Sequence, residues 1–199
     1  MRPVRLFFPF AAALAAACSS ESPVGGPTDA GNLSLSGSSV VESASGGIHF
    51  TTDPRFFGFP VDNRLTFIAE RHADGSIGGR YNYEQGAFGE RFIFRGSVTC
   101  FVIHDTPVLQ DWPDIPATTA NRAKWGGVIE YSNDPTIPVG TFIWFNSIDN
   151  GEGAGAPPDL SSISGFGDEA ANEAFCASTA PPNPLFGPHP VTGNIDVRP

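Results

Sequence analysis

From about residue 46 onward, apolar and polar side chains alternate with a period of two, the spacing of strands that bury one face. In "RLTFIAE", Leu65, Phe67 and Ala69 share a side; in "SIGGRYNYE", Ile77, Tyr81 and Tyr83 do. Between these runs Asp74-Gly75 supplies the positive-φ pair that favours a hairpin turn. The longest run, "ERFIFRGSVTCFVIH", puts Phe92, Phe94, Val98, Cys100 and Val102 on one parity, so Cys100 is expected to point inward. Its other face carries Ile93, Phe101 and Ile103 beside Arg91 and Arg95, which predicts partial cover on both sides. "AKWGGVIEYS", "GTFIWFNSID" and "VTGNIDVR" add further strands, and Gly78-Gly79 and Gly126-Gly127 within strand patterns mark bends where a sheet curves.

Helical spacing occurs only in "GDEAANEAFCA", with Asp168 as N-cap and Ala171, Ala174 and Phe175 on one face. Regular strands with turn signals and one short helix predict an all-β fold. The expected architecture is a small antiparallel barrel, or a sandwich, of about seven to nine strands.

The first residues break this pattern. "MRPVRLFFPFAAALAAA" has a basic start, Arg2 and Arg5, followed by an apolar run too short to span a bilayer, which reads as a signal peptide over 1–17. The junction "LAAACSS" resembles the lipobox of bacterial lipoproteins, with Ala15 where that motif prefers leucine. The resemblance implies cleavage before Cys18 and lipidation of its thiol, with several acyl chains giving a stable membrane anchor. Residues 18–44 are rich in serine, glycine and proline and read as a flexible tether, which places the β domain at 45–199.

With Cys18 assigned to lipid, Cys100 and Cys176 form an even pair. In the oxidising compartment that a signal peptide implies, they are expected to be disulfide-bonded. Loss of the two arginines in 1–17 leaves nine basic against 21 acidic residues. So acidic a chain excludes nucleic acid as a partner and leaves the lipid as the route to the membrane. Arg122 and Lys124 are the nearest approach to a basic cluster and read as a solvated strand end.

The stretches "HADGSIGGRYNYE", "GSVTCFVI", "WGGVIEYS", "DNGEGAGAPPDLSS" and "GNIDV" together resemble a family of secreted bacterial all-β proteins of unknown function. The resemblance spans most of residues 46–198 and implies a compact antiparallel β domain; it transfers no catalytic residue. Where such sequences turn quickly after the cysteine strand, this one inserts "DTPVLQDWPDIPATTAN". Asp105, Asp111, Trp112 and Asp114 make that insert a candidate contact loop for a sugar, peptide or partner protein, with packing of Trp112 onto the barrel mouth as the alternative.

Signatures of hydrolases, zinc proteases and phosphate loops are missing, and the four histidines are spread without ligand spacing. Asp149-Asn150-Gly151 reads first as a turn. The oxygens of Asp149, Asn150, Glu152 and Asp159 also form the one candidate calcium set, and no other cofactor is expected. The expected function is a lipid-anchored envelope protein, outside the cytoplasm, with a non-enzymatic binding or structural β domain. A barrel carrying a small apolar ligand and a hydrolase with an unrecognised carboxylate site are the alternatives.

Overall fold

The computed structural model describes residues 38–52, 58–87, 89–104, 121–153, 155–180 and 188–199. All lie in the unit Gly37–Pro199. The signal peptide, Cys18 and the insert with Asp105, Asp111, Trp112 and Asp114 lie outside the described residues.

Alternation becomes strands in chain order: β1 (Val40–Thr52), β2 (Val61–His72), β3 (Ile77–Ala87), β4 (Glu90–His104), β5 (Asn121–Ser132), β6 (Phe142–Asp149), β7 (Leu160–Gly167), β8 (His189–Pro190) and β9 (Thr192–Arg198). Among the described residues one helix, α1 (Glu169–Ala177), falls between β7 and β8. The nine strands form one sheet in the order β8-β7-β6-β5-β4-β3-β2-β1-β9, and each neighbouring pair is antiparallel. β1 begins at Val40, within the stretch expected to be tether. Its serine-rich start still carries the period of two, and Ala44 is fully buried.

The sheet closes into a nearly complete barrel because its last strands are almost one. β8 pairs with β7; the chain then runs through Val191 directly into β9, which pairs with β1. Gly193 makes this possible: it has φ +112, and a Cβ there would lie 2.1 Å from the Gly47 carbonyl.

Inward positions fill the barrel with rings. Trp125 is stacked between Phe67, at 4.7 Å between centroids, and Phe145, at 4.5 Å. Tyr83 stacks on Phe94 and meets Phe145 edge-on, and Leu65, Ile129, Ile143 and Ile195 close the gaps. Such offset and edge-to-face pairs add to the burial of apolar area that holds the fold.

Cys100 does not point inward. A register shift between Val98 and Cys100 inserts an unpaired residue in β4, so Phe101, opposite Trp125, takes the next core position. Cys100 is thereby turned to the outer face, where it is bonded to Cys176 of α1. α1 covers that outer face, with Asn172 and Cys176 as its buried residues, while Ala171 and Ala174 are exposed. The bland apolar face expected for the helix loses to close docking: a Cβ on Gly126 would lie 1.9 Å from the Asn172 side-chain oxygen.

The basic strand end is also corrected. Arg122 and Lys124 are 1% and 2% exposed, on the outer face of β5. Lys124 Nζ donates to the carbonyls of Ser178 (2.6 Å) and Ala180 (2.9 Å) and sits over the Phe175 ring. A long apolar stem with a cation that satisfies main-chain oxygens at a helix end can be buried where a solvated charge was expected.

Candidate binding groove

Two places concentrate polar chemistry: the seam of the barrel and a groove across its outer face.

At the seam, β9 has β1 on one side and, among the described residues, no strand on the other. Side chains take the place of a strand. Asp159 accepts from the amide of Ile195 (2.7 Å), Asp149 from that of Val197 (3.0 Å), and Asn121 donates to the Val197 carbonyl (3.1 Å). The second oxygen of each carboxylate organises its own loop: Asp149 accepts from Gly151 N (2.7 Å) and Asp159 from Asn150 N (2.9 Å). Glu152 accepts from the Asn194 side chain at 2.9 Å, and Asn150 donates to the Pro158 carbonyl at 2.6 Å. The four oxygen-bearing residues of the calcium candidate are thus brought together by the fold, and each is engaged with the latch between the β6–β7 loop and β9. Among the described residues no group of three His, Cys, Asp or Glu has the arrangement of a metal site. Burial raises the carboxyl of Asp159 above its ordinary value of 3.8, a shift opposed by the Asn150 and Ile195 amides and reinforced by Asp149 and Glu152.

The groove has a volume of about 1040 Å³ and runs across the strands. Register assembles it from residues far apart in sequence. One row of outward residues crosses the sheet as Asp196, Ser45, Ile68, Arg80 and Ser97, each the register partner of the next. A second row, two residues away along each strand, reads Asn194, Gly47, Thr66, Asn82 and Arg95. Between them lies an inward row, Ile195, Gly46, Phe67, Tyr81 and Gly96, whose glycines leave a thin floor over the core rings. Gly96 is obligatory: a Cβ would lie 1.8 Å from the Val128 carbonyl and 2.7 Å from the Tyr81 hydroxyl. That hydroxyl is buried without a hydrogen-bond partner among the described residues, and its pKa is raised by burial and by nearby Glu130.

The charges of the groove are balanced and mostly tied down. Arg95 donates to Asn82 (3.0 Å) and lies over Tyr131; Glu130 accepts from Ser97 (2.6 Å); Asp196 pairs with Arg198. Arg80 is exposed and makes no ion pair among the described residues. No family model matches the chain, and comparisons with curated proteins and with solved structures return no match. The geometry alone carries the functional argument.

Sequence reasoning missed the groove. Its residues are visible as the polar half of each alternating run, but which of them stand side by side depends on register, which a single run does not specify.

Proposed function

We propose that the chain is a membrane-anchored lipoprotein of the bacterial cell envelope, lipidated at Cys18, whose β domain is a non-enzymatic binding module that uses the outer face of its barrel. The observation that carries this reading is the placement of open space. The interior is occupied by the Phe67–Trp125–Phe145 stack, and the sizeable groove lies outside it. An apolar carrier needs a hollow lumen, and filled aromatic packing favours a rigid scaffold that presents a surface.

A carboxylate hydrolase has less support. Glu130 and Asp196 both line the groove, but one belongs to β5 and the other to β9, with β1 to β4 between them. Each is also engaged elsewhere, Glu130 with the Ser97 hydroxyl and Asp196 with Arg198, whereas a working acid pair faces one reacting bond from both sides.

Three measurements test the proposal. A Cys18→Ala chain should fail to incorporate labelled palmitate in cells that label the wild type; equal labelling removes the anchor. Native mass spectrometry after purification should show no co-purified fatty acid, and an apolar dye should show no saturable one-to-one binding. A stoichiometric apolar ligand would instead favour the carrier barrel.

A further inference from the structure

The groove restricts the chemistry of its occupant. Each of β1, β2, β3 and β4 is flanked by two paired strands, and the free edge of β9 is taken by Asp149, Asp159 and Asn121. No main-chain edge in the groove is available to a peptide by strand addition, so recognition falls to side chains alone. Those side chains are short hydroxyls and amides: Ser45, Thr66, Asn82, Ser97 and Asn194. Ser45 and Thr66 offer both a donor and an acceptor, and Asn82, Ser97 and Asn194, each holding one internal bond, keep their remaining hydrogen-bonding capacity.

Charge narrows the choice further. Arg80 and Arg95 are matched by Glu130 and Asp196, so the lining has no net charge. The chain as a whole carries −10. An anionic polymer would be repelled by the protein as a whole, and a polycation would find no acidic track in the groove. At the centre of the first row, Ile68 is 38% exposed and lies beside the thin floor over Phe67 and Tyr81, giving an apolar patch among the polar side chains. The five strands from β9 to β4 span roughly 19 Å, the length of an extended oligomer rather than of one small metabolite.

We infer that the groove binds an uncharged, extended oligosaccharide, whose hydroxyls meet the two polar rows and one of whose C–H faces lies on the patch at Ile68. This deepens the binding-module reading and rests on it.

Gly47 gives a clean test. It is exposed, its φ is unstrained for a side chain, and a Cβ there meets nothing within 4 Å. Gly47→Trp should therefore obstruct the groove and leave the thermal midpoint unchanged. The wild-type full chain and the variant are titrated calorimetrically with neutral hexasaccharides of glucose and of N-acetylglucosamine, with a sulfated hexasaccharide, and with a Ser/Asn-rich peptide. The expected result is binding of a neutral hexasaccharide, weakened about tenfold or more by Gly47→Trp. Neutral binding equal in both proteins would overturn the inference by placing the site elsewhere. Binding of only the sulfated sugar or the peptide, lost in Gly47→Trp, would overturn the ligand class and leave the groove reading standing. If no probe binds, the glycan inference falls, and the scaffold reading is judged by the apolar-ligand measurement above.

Discussion

Gly96 and Gly47 line the same groove, yet the fold demands one and tolerates change at the other. A Cβ on Gly96 would strike a strand carbonyl, so Gly96→Ala should destabilise by about 1–3 kcal/mol or more, as overpacking does. Gly47→Ala should lie within about 0.5 kcal/mol of the wild type. Urea unfolding of the two variants checks the contrast. Asp159 shows a second residue-scale effect. Replacing it by alanine strands the amides of Ile195 and Asn150, each at a cost of about 1–3 kcal/mol. Its folded pKa is raised above 3.8, mainly by burial, so the folded state holds this proton more tightly than the unfolded chain. The stability this contributes is full below about pH 4 and is lost as pH rises through the folded value. Asp159→Asn should flatten that fall in a series of melting temperatures against pH. The sequence identified these acids as a cluster beside a turn. It could not show that they serve the open edge of β9, because that strand lies more than thirty residues further along the chain.

At the scale of elements, α1 is held by three devices: the Asp168 cap that accepts from Ala171, the Cys100–Cys176 bond, and Lys124 at its far end. The cap and the cysteine pair were legible, because capping chemistry is local and the β-rich part of the chain holds just two cysteines, Cys100 and Cys176. The face of the helix was not, because Asn172 is buried by fit against Gly126 rather than by hydrophobicity. The side of β4 occupied by Cys100 was hidden for a related reason: one inserted residue reverses parity without leaving a mark in composition. Reduction of the disulfide, which joins residues 76 apart, should cost about 4 kcal/mol on the chain-entropy account. Thermal unfolding with and without reductant measures it, and thiol labelling should require reduction first. Burial, with Arg122 beside it, lowers the Lys124 pKa from 10.5 to about 8. Between those values the unfolded chain binds more protons, so stability should rise with pH over that interval. In Lys124→Met the rise should disappear.

For the whole molecule, the class of fold was readable because period-two patterning and turn residues are properties of short segments. Closure was not, because it depends on Val191 and Gly193 carrying one strand from β7 to β1. The groove was invisible for the same reason, being a product of register across five strands. The filled lumen makes Phe67→Ala a direct test of packing: loss of a ring from the Trp125 stack should cost about 3–5 kcal/mol by urea unfolding, whereas a lumen built to hold ligand would tolerate it. The most direct test of an outward-facing binding scaffold is amide hydrogen exchange of the full chain with and without excess neutral hexasaccharides. Exchange should slow across 45–47, 66–68, 80–82, 95–97 and 194–196 together, and little elsewhere. Slowing confined to the hairpin loops at the barrel ends, or no slowing at all, would contradict it.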